Sequence, residues 1–173
     1  LHKVENDRQA QEQALNELEA TSRQLESVIR QAQASNASSS NPPKGSGQLG
    51  WPCDARNITS PFGMRYHPIL KKNKLHTGTD FGASNGSNIY AADNGVVISS
   101  GWMGGYGKAV IIDHGKGIST LYAHQSSILV SNGQTVNKGQ VIGKVGSTGW
   151  STGAHLHFEV RVNGVPKNPM NYL

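Results

Sequence analysis

Hydrophobic and polar positions follow two different rhythms along the chain, separated by a stretch with neither. Up to residue 33 the apolar positions return at heptad spacing. Val4, Gln11, Leu18, Leu25 and Ala32 fill one seam position, and Arg8, Leu15, Ser22 and Ile29 fill the other. No Pro or Gly interrupts this stretch, which is rich in the helix formers Gln, Glu, Ala and Leu. The spacing predicts a helical coiled-coil segment over 1–33, sound from Leu15 onward and poor before it, where Arg8 and Gln11 put polar groups in the seam. Three partners are open to such a stripe: another copy of this chain, a helix of a partner protein, or the chain's own downstream domain.

Residues 34–49 (ASNASSSNPPKGSGQL) hold too few apolar side chains to offset the entropy of ordering them, which predicts a flexible linker. From Trp51 the rhythm becomes short apolar runs punctuated by Gly and Asn. Strands are predicted over Asn88–Ala91, Gly95–Ser100, Ala109–Asp113, Ser119–His124, Gln140–Val145 and His155–Val162. The gaps between them leave no room for crossover helices, so the strands must pair antiparallel. The expected architecture is mainly β: a compact antiparallel β-sheet domain of sandwich-like form over 50–173, preceded by the helical segment. A content of 21 glycines and 6% aromatic residues fits a domain of turns and short strands.

Charge divides along the same boundary. Residues 1–33 carry four basic and six acidic side chains, whereas the rest carries twelve basic and five acidic ones. A surplus of this kind keeps the domain soluble or favours a polyanionic partner: nucleic acid, anionic lipid or an acidic wall polymer. The single cysteine, Cys53, excludes an internal disulfide and a Cys-rich zinc site, and its apolar neighbours predict a small buried hydrophobe. No apolar run approaches the roughly 20 residues that span a bilayer.

Two clusters carry candidate chemistry. In the run beginning at His155, residues two apart face the same side, so His155, His157, Glu159 and Arg161 share one face while Leu156, Phe158, Val160 and Val162 fill the other. The second face must be core, and packing requires neither imidazole of the first. The other cluster is His76-Thr77-Gly78-Thr79-Asp80. Extended, it would hold His76 and Asp80 roughly 13 Å apart, too far for one ion with ligand distances of about 2.0–2.2 Å. The segment must therefore bend, which Gly78 permits. With His157 these residues form a two-His, one-carboxylate set that leaves a fourth position for water, as in catalytic zinc sites. His124 closes the run Leu121–His124 and, with His155, remains as a nearby base. Glu159 competes for that role, although its place between His157 and Arg161 favours a salt bridge. His2, His67 and His114 read as surface or structural residues.

The stretches SPFGMRYHP (60–68), HTGTDFGA (76–83), GWMGGYGKAVIIDHG (101–115), LYAH (121–124) and GSTGWSTGAHLHFEVRVNGVPKNP (146–169) together resemble the M23 family of zinc metallopeptidases, the lysostaphin and LytM-like peptidoglycan hydrolases. The resemblance runs from about Trp51 to Leu173. It implies Zn²⁺ held by His76, Asp80 and His157, with His124 and His155 as the catalytic pair and a zinc-bound water as nucleophile. It also implies an extracytoplasmic endopeptidase (secreted, wall-associated or periplasmic) that acts on bacterial peptidoglycan. Anionic wall polymers, rather than nucleic acid, would then match the basic surplus. Some members of that family have lost ligands and activate separate amidases, often behind a coiled coil; this sequence keeps every ligand.

Overall fold

The computed structural model describes residues 2–67 and 70–173, with side chains described from Arg8 onward. The side chains of His2 and Val4, together with Pro68, lie outside that description. One helix, α1 (His2–Ala37), precedes twelve strands: β1 (Ile58–Ser60), β2 (Gly63–His67), β3 (Lys72–His76), β4 (Thr79–Phe81), β5 (Asn88–Tyr90), β6 (Gly95–Trp102), β7 (Lys108–Gly115), β8 (Ile118–Ile128), β9 (Thr135–Val136), β10 (Val141–Val145), β11 (Leu156–Val162) and β12 (Val165–Lys167). The main sheet runs β1-β4-β11-β8-β7-β6-β9, with β12 on β11 and β10 joining β5 to β8. Strands β2 and β3 form a separate hairpin, and the pairings are antiparallel.

All six predicted strands are present, with ends moved by a few residues. Three strands absent from the sequence reading, β1, β4 and β12, are only three residues long, too short to show a period. The β2–β3 hairpin (GMRYH and KNKLH) escaped for another reason: it is mostly exposed, its few apolar side chains Met64, Tyr66 and Leu75 included, so it has no sustained core-facing run.

Both faces of the central strands are buried. Val110, Ile112, Tyr122, Phe158 and Val160 point into the main core with Phe81, Ile89, Val136 and Ile142. Their neighbours Ala109, Ile111, Leu121 and Ala123 point the other way, into a second core completed by Leu25 and Ile29 of α1. Antiparallel sheets often leave one face to water; here the helix covers it. The seam read as a coiled coil is therefore spent, from Ser22 to Ile29, on the chain's own sheet. Close approach is possible because the 104–105 turn lacks side chains: a Cβ on Gly105 would stand 2.8 Å from Leu18 Cδ2.

Past the expected end at residue 33, α1 continues because Gln33 and Asn36 donate to the buried Asp113 carboxylate at 3.1 and 2.9 Å. Beyond Ala37, the segment expected as a flexible linker is fastened at points: Gly45 N–H donates to His114 O at 2.8 Å, Ser46 N–H donates to Asp93 Oδ2 at 2.7 Å, and Leu49 is buried. Cys53 is buried in the main core, and burial pushes its thiol up to about 11. Among the described residues no helix is long and apolar enough to cross a membrane.

If α1 docks through this apolar contact, Ile29→Ala should lower the stability of the chain by about 2–5 kcal/mol. Val28→Ala, on the exposed side, should change it by less than about 0.5 kcal/mol. Urea unfolding of the two variants checks this, and equal effects would contradict the docking.

Candidate metal centre

Strand pairing assembles the site. β11 lies between β4 and β8, and the register sets His157 opposite Asp80 on one side and opposite Ala123 on the other. His76 ends β3, so that Thr77 and Gly78 alone turn the chain from the hairpin into β4. Gly78 is needed here for clearance. It does not take left-handed backbone, but a Cβ there would stand 2.4 Å from Phe158 O and 3.0 Å from His157 Cε1.

One donor atom from each of His76, Asp80 and His157 lies within 4.8 Å of the others. His76 Nε2 is 3.3 Å from Asp80 Oδ2, and His157 Nδ1 is 2.8 Å from Asp80 Oδ1. The far side of each ring is held: His76 Nδ1–H donates to Pro61 O at 2.9 Å, and His157 Nε2 is 2.8 Å from Glu159 Oε2. Two imidazoles and a carboxylate, oriented from behind, have the donor chemistry of a zinc site with an open position.

The other two histidines converge on the same point. The His124 and His155 ring centroids are 4.9 Å apart, and that of His124 is 6.0 Å from that of His157. His155 Nε2 is 3.8 Å from Asp80 Oδ1. His124 Nδ1–H donates to Thr148 O at 2.7 Å and His155 Nδ1–H to Gly153 O at 2.9 Å, which leaves each Nε2 bare of hydrogen bonds among the described residues. His124 does not end its strand as expected. β8 runs on to Ile128, and His124 sits at φ 60°, where the pairing register with β7 shifts. A non-glycine residue with left-handed backbone inside a strand is strained, and such bulges re-aim a side chain.

The electrostatics follow from burial among carboxylates. Burial opposes the Asp80 charge, yet hydrogen bonds from His157 and His76 hold its carboxyl well below the usual range. Burial likewise opposes a charge on His157, but Asp80 and Glu159 on its two nitrogens push it up to about 9. The position thus favours a cation. For His124, burial and then the His157 charge push the imidazole down to about 4, so it stays neutral near pH 7.

Glu159 is engaged on both oxygens. Thr77 Oγ1 donates to Oε2 at 2.6 Å and Arg161 Nε–H to Oε1 at 2.6 Å, so this residue cannot serve as a solvent-facing base. Thr77 and Tyr106, whose hydroxyls lie 3.3 Å apart beside the cluster, have no sequence signal beyond their places in HTGTDFGA and GWMGGYGKAVIIDHG. His114 is buried away from the site, with Nδ1–H donating to Asn94 O and Nε2 accepting from Thr120 Oγ1. His67, at the end of β2, stands at the cleft margin.

The cluster opens into a cleft of about 740 Å³, one wall of which is α1, through Gln11, Leu15 and Leu18. The helix reaches both banks. Lys72 and Lys74 on the hairpin pair with Glu12 and Glu19 at 2.8 and 3.1 Å, and Trp150 Nε1–H donates to Glu17 Oε2 at 2.6 Å.

The profile of Peptidase family M23 matches residues 74–169, which contain the whole cluster. The chain is 53% identical over 114 residues to the DD-carboxypeptidase/endopeptidase Mpg of Neisseria meningitidis serogroup B, a match covering 66% of this chain and 26% of Mpg. It is 39% identical over 127 residues to the murein hydrolase activator EnvC of Escherichia coli K12, covering 73% of this chain and 29% of EnvC. The chain thus spans between a quarter and a third of the length of these relatives. Among solved structures it resembles a zinc-containing peptidase from Vibrio cholerae, with TM-score 0.69 and 38% identity over 71% of this chain and 39% of that one.

The clearance at Gly78 makes a prediction. Gly78→Ala should push β4 away from β11, cost about 1–3 kcal/mol and raise the zinc dissociation constant by separating Asp80 from His157. Zinc titration with a competing chelator, beside thermal unfolding, reads both effects; unchanged zinc affinity would contradict the packing argument.

Proposed function

Because the chain belongs to peptidase family M23, we propose that it is a zinc-dependent endopeptidase that cleaves the peptides of bacterial peptidoglycan outside the cytoplasm. The observation that carries this reading is the convergence of two bare imidazole nitrogens, on His124 and His155, upon the His76–Asp80–His157 donor set. Similarity to Mpg supports the substrate class. The twelve basic residues after position 33 suit an anionic wall.

His76, Asp80 and His157 would hold the ion. Zinc, when bound, supplies Lewis acidity that brings a water pKa toward about 7 and polarises a carbonyl. The chain's own residues do the rest. Neutral His124 can take up or return a proton at Nε2, because Thr148 O fixes the proton on Nδ1, and Gly153 O fixes the His155 tautomer in the same way. The cleft beside them has room for an extended peptide once α1 yields its place along the wall.

A second reading, activation of a separate amidase, is favoured by the likeness to EnvC and by the helix lying along the cleft. One set of experiments separates the two. The endopeptidase should release new amino termini from cross-linked peptidoglycan, lose this on chelation and regain it with zinc. His157→Ala should lose both zinc and activity. His124→Ala or His155→Ala should keep zinc while turnover falls about 10²–10⁴-fold. No cleavage by the wild type, with stimulation of an amidase that survives His124→Ala, would establish the activator instead.

The banks of the cleft give a further expectation. Lys72→Glu with Lys74→Glu should repel Glu12 and Glu19, loosen α1 and raise peptide cleavage severalfold in the full chain. Raising salt should move the wild type in the same direction, since exposed ion pairs are screened. A double variant no faster than wild type would show that the helix does not restrict access.

A further inference from the structure

β11 carries a line of charge that the proposed chemistry does not use. His157, Glu159 and Arg161 share one face of the strand, and the last two are fully buried. A buried ion pair is poor value as a stabiliser, because desolvation offsets most of its attraction and an apolar pair of similar size does as well. This pair is nevertheless satisfied down to single N–H groups. An arginine has five N–H donors, and Arg161 has five partners. Its Nε–H donates to Glu159 Oε1 at 2.6 Å. One terminal nitrogen reaches Gly164 O at 2.9 Å and Ser22 O at 3.3 Å; the other reaches Ser22 Oγ at 2.9 Å and Tyr106 Oη at 3.5 Å. Two of the five acceptors belong to Ser22, a buried residue of α1 that is 139 positions away in sequence.

At the other end of the line, Glu159 Oε2 meets His157 Nε2 at 2.8 Å and accepts from Thr77 Oγ1 at 2.6 Å. A carboxylate on the far nitrogen of a metal-binding imidazole fixes its proton there, turns the opposite lone pair toward the ion and raises its basicity. Here that opposite atom is Nδ1, the one facing Asp80. Arg161 prevents Glu159 from turning, and Ser22 prevents Arg161 from turning.

We infer that Glu159, Arg161 and Ser22 are positioning residues for His157, so that helix α1 completes the support of the metal site it lies beside. The inference rests on the zinc reading above. It gives the helix a role separate from restricting the cleft: the ion pairs at the banks act on access, whereas Ser22 acts on the ligand.

The test measures zinc affinity of the full chain by competition with a chromogenic chelator, and thermal stability in excess chelator as a control for folding. Glu159→Gln should weaken zinc binding about 10–100-fold. Ser22→Ala should weaken it severalfold, and Ser22→Thr, which keeps the hydroxyl, should restore it. Leu25→Ala is the control for a merely structural role: it removes a buried apolar contact of the same helix but none of the hydrogen bonds of the line, so it should lower stability and leave zinc affinity unchanged. Thr77→Val and Ser22→Ala carry the test should Glu159→Gln fail to fold. A wild type that binds zinc while Ser22→Ala and Glu159→Gln bind it equally well would overturn the inference and leave the zinc reading standing. A parallel loss of zinc affinity in Leu25→Ala and Ser22→Ala would overturn it too, by showing that helix docking alone matters. A wild type that binds no zinc would overturn both.

Discussion

The register of β11 is the constraint on which the remaining structure depends. Leu156, Phe158 and Val160 are fully buried in the main core, and a one-residue slip would turn all of them toward the opposite face. With the apolar side committed, His157, Glu159 and Arg161 have only the other side available. The same commitment sets His157 opposite Asp80 on β4 and beside Ala123 on β8. Hydrophobic burial, which has no direction of its own, thus fixes the direction of the site's polar groups.

That second side could not be left to water without exposing Ile111, Leu121 and Ala123 along with the ion pair. α1 resolves this with two kinds of contact. Leu25 and Ile29 supply apolar burial, and Ser22 supplies two of the five oxygens that the guanidinium meets. The ion pairs at the banks are part-exposed, and pairs of that kind contribute little to stability. Their effect is on placement. An acidic helix meets a basic hairpin, and the segment ahead of the apolar contact is drawn along the cleft rather than away from it.

The strain at His124 belongs to the same scheme. A regular strand would send successive side chains to alternate faces. The bulge allows β8 to keep Tyr122 in the main core while presenting His124 to the cluster with its Nδ1–H tied to Thr148. The neighbouring Gln125 side chain donates to Tyr122 O at 2.9 Å, which secures the irregular backbone.

Much of this was legible in the sequence, because it depends on local periodicity. Alternation from His155 to Val162 gave a strand with a chemical face and a core face. The heptad stripe gave the helix, and turn residues in short gaps gave antiparallel pairing. The grouping of His76 and Asp80 with His157 was also readable, since three such donors in an all-β domain have few other uses. What no local pattern contains is which distant surface covers which. The seam at Ser22, Leu25 and Ile29 served a partner helix or this sheet equally well on paper, and only the second apolar face of β7 and β8 decided between them. Gly78 was expected to bend the chain; clearance from β11 is what requires it, and clearance is a property of two strands. The Glu159–Arg161 pair had a visible face but no visible lid, so its burial and its link through Ser22 followed only from helix docking. Periodicity is written residue by residue, whereas the partners of a buried charge are set by whatever the folded chain brings within about 3 Å of it.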